Sequence, residues 1–288
     1  MRPTITILLL TFLSFACNEN ITEMKEKTID INNESISYYD NENGTTTLLF
    51  IHGAFIDKEY WKEQLNHFSP NYRVVALDLA GHGKSSTNRK NWTIESYGKD
   101  VIELIEQLDL KNIILIGHSI GGDIMLETIN NNYKKIIGII GVDYFKNVGF
   151  ELPKDAVDGL IANLKNNFAS TTEQYVNQQL ITSQTNQEIA DRITTDFKTM
   201  NPEIGLSINQ NSFGYSQREL ALLKKLKKKL FLINVNYFPT NEESIKNILG
   251  DNYKLYEIGG TCHYPMIETP DEFSTTLQKA IKEITKAD

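Results

Sequence analysis

One hexapeptide constrains this chain more than any other feature. Gly117-His118-Ser119-Ile120-Gly121-Gly122 ends an apolar run at 112–117 and leads into a helical stretch at 123–130. A serine at a tight turn from strand to helix is held in a strained conformation with its hydroxyl exposed. Glycines flank it because a Cβ there would collide with the neighbouring strand and helix. The helix N-terminus behind it places positive potential where an oxyanion would develop. A glycine-rich turn that merely starts a helix is the plainer reading of the same residues, and the strand–turn–helix context argues against it.

The rest of the chain supplies a sheet for that turn to sit on. Residues 28–31 and 35–39 read as a strand pair around Asn32-Asn33-Glu34. Further strands are expected at 47–52, 73–78, 112–117, 135–142, 229–235 and 253–258. They are nearly continuous apolar runs, as strands buried on both faces of a parallel sheet require. Helical patterns alternate with them. At 93–108, Ile94, Tyr97, Val101, Ile102, Leu104, Ile105 and Leu108 make one apolar stripe, and 270–284 closes the chain with Pro270 in the first turn. The βα alternation predicts an α/β fold with a mostly parallel, doubly wound sheet. One stretch breaks the rhythm. Residues 146–217 hold polar helical patterns at 155–166, 172–181, 187–199 and 202–213, far more than a crossover needs. They read as a helical cap over the C-terminal edge of the sheet, where open α/β folds bind ligands. The core is then 28–145 plus 218–288.

Three further motifs join the hexapeptide in chain order: His52-Gly53-Ala54-Phe55, then Asp78-Leu79-Ala80-Gly81-His82-Gly83-Lys84-Ser85, then Gly259-Gly260-Thr261-Cys262-His263 with Glu268 and Pro270 following. Together they resemble the α/β-hydrolase-fold superfamily over nearly all of 28–288. The resemblance implies a capped, esterase-like serine hydrolase with Ser119 as nucleophile and His263 as the base that activates it. Two backbone N–H groups must meet the oxyanion. Ile120 is expected to supply one and Ala54 the other, with Phe55 as the neighbour that could substitute. His52, His82 and Asp78 read as loop-holding residues, His118 as a side chain packed beside the nucleophile, and Cys262 as a small packing residue.

The acid of the triad departs from the usual pattern. Most of the superfamily carries it after the strand read here as 229–235, but Asn234, Asn236 and Asn241 are amides and Phe238 occupies the usual Asp position. One branch of the haloalkane dehalogenases and the pancreatic-type lipases carry it after the preceding strand. Here that strand ends in Val142-Asp143, so Asp143 is the expected acid; a cap for the following loop is its plainer role.

The expected reaction is cleavage of a carboxylic ester or related acyl compound through an acyl-enzyme, with no cofactor and no metal implied. Phe150, Leu152, Leu160, Phe168, Tyr175, Phe197, Phe213 and Tyr215 of the cap are candidates for an acyl or aryl pocket, against helix packing as the plainer role of each. Ser119 disfavours a dehalogenase or epoxide hydrolase, which need Asp at the turn. A C–C bond hydrolase, a lactonase or an acyltransferase uses the same triad and stays open, as does a haloperoxidase-like side activity. So does a non-catalytic small-molecule binding protein on the same fold.

The partner expected is a small acyl substrate. A balance of 29 Lys+Arg against 37 Asp+Glu, net −8, leaves no basic excess to bind nucleic acid. The one basic cluster, Lys224 to Lys229, reads as a solvated helix end. The N-terminus is a separate object. Arg2, an apolar run from Ile5 to Ala16, and then Cys17 resemble a bacterial lipoprotein signal, with Cys17 the candidate lipidated residue and 18–27 a polar tether. A plain secretory signal is the alternative. Either way export is expected, with membrane contact only through the lipid. Cys17 and Cys262 are the only cysteines, so a lipidated Cys17 leaves no pair for an intramolecular disulfide.

Overall fold

The computed structural model describes residues 24–131 and 134–287. Candidate lipidation site Cys17, the signal reading and most of the tether therefore lie outside the described residues. Eight strands form one sheet in the order β1-β2-β4-β3-β5-β6-β7-β8. They are β1 (Glu26–Ile31), β2 (Glu34–Asp40), β3 (Thr47–Ile51), β4 (Arg73–Leu77), β5 (Ile113–His118), β6 (Ile136–Val142), β7 (Leu230–Val235) and β8 (Tyr253–Ile258). The β1–β2 hairpin turns at Asn32 and Asn33, both with positive φ, which asparagine tolerates. Only β2 runs against its neighbours; β4-β3-β5-β6-β7-β8 pair in parallel. The mostly parallel sheet expected from the apolar runs is the one observed. Every residue of β3, β5 and β7 is buried.

Helices flank the sheet. Before the centre of the sheet come α1 (Lys62–Phe68) and α2 (Ile94–Gln107), and α3 (Gly121–Asn131) follows β5. Thr93 caps α2 through a reciprocal box with Ser96, which fixes the start of the stripe read from the sequence. Between β6 and β7 stand α4 (Lys154–Asn166), α5 (Phe168–Tyr175), α6 (Gln187–Thr199), α7 (Pro202–Phe213) and α8 (Ser216–Lys225). The helices α9 (Glu242–Leu249), α10 (Pro265–Glu268) and α11 (Pro270–Ala287) complete the chain.

The insert matches its expected helices with one shift. In place of a helix at 172–181, α5 starts at Phe168 because the Asn167 side chain accepts the Ser170 N–H, and it runs into a π turn at Val176–Leu180. Lys224 and Lys225 end α8, where cations suit the carbonyl end of a helix. No helix among the described residues is long and apolar enough to cross a membrane.

Candidate active site

Packing forces the turn after β5. Ser119 has φ 52°, the left-handed region that a non-glycine residue adopts at a cost. Its N–H donates to the Val142 carbonyl and its own carbonyl accepts from Gly122, so the strain is held from both sides. A Cβ on Gly117 would lie 2.3 Å from the Gly121 carbonyl oxygen, and one on Gly121 would lie 2.7 Å from that of Ile51. Both glycines are thus demanded by backbone, as the sequence pattern implied. The loop after β3 reaches the same point: a Cβ on Gly53 would lie 3.1 Å from the Ser119 Cβ.

Asp143 follows β6 with φ 46°. One carboxylate oxygen accepts from His263 Nδ1 at 2.6 Å. The other accepts the Val235 N–H at 2.9 Å and the Lys146 ammonium at 2.6 Å. A carboxylate accepts here, so Nδ1 is the donor, and in the neutral ring the lone pair then lies on Nε2. Asp143 and His263 are buried, and Ser119 is half-buried. All three line one cavity of about 390 Å³, and Ser119 and His263 also line a second of about 190 Å³. The acid expected after the sixth strand thus does reach the histidine, while Phe238, at the usual position, is 55% exposed.

The loop bearing His263 is tied down independently. Its backbone N–H donates to the Leu180 carbonyl in the insert. Its carbonyl accepts from His118 Nε2 at 2.9 Å. Burial and the neighbouring His263 ring hold His118 well below the usual imidazole range, so it stays a neutral donor. Glu268 accepts from the Thr261 hydroxyl and the Cys262 N–H, closing the loop from the far side. Cys262 is fully buried, and burial pushes its thiol up, away from reactivity.

Ala54 and Ile120 line the smaller cavity together with Ser119 and His263. Neither N–H is spent on a partner among the described residues, so both are free to donate into it. Phe55, the alternative donor, has φ 66° and turns its ring onto Phe168 and Phe197. His52 bridges the loops as expected: Nδ1 donates to the Gly53 carbonyl and Nε2 accepts the Leu79 N–H. Burial depresses its pKa to about 4, which fixes that neutral pattern. Asp78 pins the glycine turn through the Lys84 N–H and is neutralised by the Lys58 ammonium at 2.7 Å.

Six of the eight cap side chains reach a cavity wall. Phe150, Leu152, Tyr175 and Phe213 line the larger one, and Leu160, Tyr175, Phe197 and Phe213 the smaller. Phe168 and Tyr215 line neither: Phe168 packs on Phe55, and the Tyr215 hydroxyl bonds Glu127. The sequence reading missed Lys146, three residues after Asp143, which also donates to the Val235 carbonyl and lies over the Tyr237 ring. It missed Asp123 and Glu219 as well. Nothing short of their shared cavity would have paired them.

The family description "alpha/beta hydrolase fold" matches residues 46–187. An (E)-2-((N-methylformamido)methylene)succinate hydrolase of Acinetobacter baylyi is 33% identical over 98 residues, 34% of this chain and 37% of that protein. A putative esterase/lipase of Haemophilus influenzae is 40% identical over 78 residues, 27% of each chain. The matched segments thus span well under half the length of these curated relatives. A bromoperoxidase from Bacillus anthracis superposes with a TM-score of 0.78 at 20% identity, covering 90% of this chain and 100% of that one, a likeness of fold.

Proposed function

The chain has the alpha/beta hydrolase fold, and on that premise we propose that it is a serine hydrolase that cleaves carboxylic esters or related acyl compounds. The observation that carries the reading is the convergence of Ser119 with the Asp143–His263 pair on one cavity. In the proposed reaction, the free Nε2 of His263 takes the Ser119 proton as Oγ attacks the acyl carbon. The Ala54 and Ile120 N–H groups receive the negative charge on the carbonyl oxygen. The imidazolium, held by Asp143, then protonates the leaving group. Water repeats the sequence on the acyl-enzyme, and the acid leaves with Ser119 restored.

A lactonase, a C–C bond hydrolase or an acyltransferase would use the same groups. A binding protein that lacks the chemistry drew its support from the missing acid after β7, and Asp143 at 2.6 Å from His263 weakens that support. The test is a fluorophosphonate probe with a series of p-nitrophenyl esters of rising chain length. Labelling and turnover that vanish in Ser119→Ala are expected; a folded wild type that neither labels nor turns over any ester overturns the reading. We also propose that the chain is exported and lipid-anchored through Cys17, on the strength of the N-terminal sequence. Mass spectrometry of the mature N-terminus tests this: a lipid-modified Cys17 is expected, and cleavage elsewhere or an unmodified thiol removes it.

A further inference from the structure

Lys146 stands in the wall of the larger cavity, three residues past Asp143, with its side chain only 12% exposed. Its ammonium has three hydrogens and spends all three. They go to Asp143 Oδ1 at 2.6 Å, to the Val235 carbonyl at 2.7 Å and to the Phe238 carbonyl at 3.0 Å. The lysine therefore has no hydrogen left for a substrate. What it does is tie the loop after β6 to the turn after β7.

The rest of that frame is on the page as well. The Lys146 carbonyl accepts the Asn241 N–H at 2.7 Å, and the Asp143 N–H donates to the Ile233 carbonyl at 2.9 Å. The Tyr237 ring lies 4.7 Å from the ammonium, and its hydroxyl donates to the Gln179 carbonyl. Next to Gln179 is Leu180, whose carbonyl holds the His263 N–H. Acid and base are thus fixed to one scaffold, with the ammonium at its centre.

The charge on that scaffold has a chemical consequence. Burial pulls the Lys146 ammonium below its ordinary range, while Asp143 pulls it back up. The same carboxylate faces His263 Nδ1 through its other oxygen at 2.6 Å. A carboxylate already paired with an ammonium attracts a second cation less. It still accepts the hydrogen bond of a neutral imidazole, so the ring stays oriented. The imidazolium, which needs the full negative charge, is what loses support. His263 is then a free base in more acidic solution than it would be beside an unpaired carboxylate.

We propose that Lys146 is a positioning residue of the proposed triad: its ammonium fixes the Asp143 carboxylate against the turn after β7 and sets the pH at which His263 becomes a free base. The catalytic part rests on the hydrolase reading; the coupling of Lys146 to His263 through Asp143 does not.

Other groups surround the pair. His118, against the His263 ring, is held neutral by burial. Burial raises Tyr264 and Cys262 in the histidine's own loop and Tyr237 over the lysine, so these are neutral too. Carboxyls stand farther out: Glu257 on β8, Glu268 on the Cys262 N–H, and Asp123, Glu151 and Glu219 in the cavity wall. A substitution at 146 leaves all of them in place, so they cancel when a variant is compared with wild type.

The test follows two readouts: the NMR titration of the His263 ring, assigned by its loss in His263→Ala, and the acid limb of kcat/KM for p-nitrophenyl butyrate. Lys146→Met keeps the side-chain length and removes the charge. Both midpoints should move to higher pH by about one unit, as removal of one nearby charge shifts a titration. Lys146→Arg keeps the charge and should leave both near wild type. Lys146→Gln repeats the neutral substitution should the methionine variant not fold. A ring titration that stays put in a folded neutral variant, or that moves as far in Lys146→Arg as in Lys146→Met, overturns the proposal. Failure of both neutral variants to fold makes Lys146 a structural residue and overturns it too. Should no ester be cleaved and no fluorophosphonate label appear, the hydrolase reading fails, and the NMR titration, which needs no turnover, still decides the coupling.

Discussion

The carboxyl edge of the sheet and the helical insert above it obey different rules. At the edge, backbone touches backbone at Gly117 and Gly121, side chains of His118 and Ser119 crowd Gly53, and Ser119, Asp143 and Phe145 all adopt positive φ. In the insert, α4 buries only Leu164 among its thirteen residues, and Gly159 has open space around it. An edge built this way positions reacting atoms and tolerates almost no change. A helix held by one buried side chain, as α4 is, can change the wall it lends without unseating the chemistry. The division implies that edits at the edge decide whether the protein acts, and edits in the insert decide on what.

The largest effects should come from the edge. Ser119→Ala and Asp143→Asn are expected to lower kcat by roughly 10³- to 10⁴-fold or more while leaving the circular dichroism spectrum unchanged. Near-native turnover in Asp143→Asn would pass the orienting role to another group and break the comparison at its strongest point. Gly121→Ala comes next. Its methyl group would meet the carbonyls of Ile51 and His52, both backbone and unable to retreat, so a loss of about 3 kcal/mol or more is expected, read as a lower denaturant midpoint. A variant as stable as wild type would show that the edge is looser than its contacts imply.

The positions of the proposed triad were readable from the sequence because the edge leaves so little freedom. Gly117 and Gly121 advertise the turn, and the spacing from Gly259 to Pro270 advertises the loop that carries His263. Asp143 was placed by resemblance to the branches of the superfamily that carry the acid after the preceding strand, once no carboxylate stood after β7 at the usual place. Ala54 and Ile120 were placed by the shape of their loops, as backbone donors carry no side-chain signature. What could not be read lies where side chains from distant segments meet. Lys146 sits on Asp143 because the loop after β6 folds back toward Val235, and Asp123 meets Glu219 because α8 packs on α3. The short helix α10 was missed as well; four residues give too little period to register.

Asp123 and Glu219 join the two regions, and their titration probes the seam. Glu219 has its pKa raised from 4.5 to about 7, and Asp123 is raised as well. Between those values the folded protein keeps protons that the unfolded chain has released. Stability should therefore fall as pH rises from about 4.5 to 7. Glu219→Gln removes one ionisation and should flatten that part of a plot of Tm against pH. A wild type whose Tm rises across the same window would mean the pair is hydrated rather than sealed between α3 and α8.

The smallest effect should come from the insert, and its sign is the point. Gly159 lies inside α4, far from either end, with ordinary helical φ and nothing within 4 Å of where a Cβ would stand. Alanine there loses no space and removes unfolded-state freedom, so Gly159→Ala should stabilise by about 0.5–1 kcal/mol. The same substitution at Gly121 destabilises, because there the backbone of β3 already occupies the methyl position. Thermal melts of the two variants beside wild type put the comparison to its finest measure. If Gly159→Ala lowers Tm, α4 is packed against something its open surroundings do not reveal, and the insert would share the rigidity of the edge.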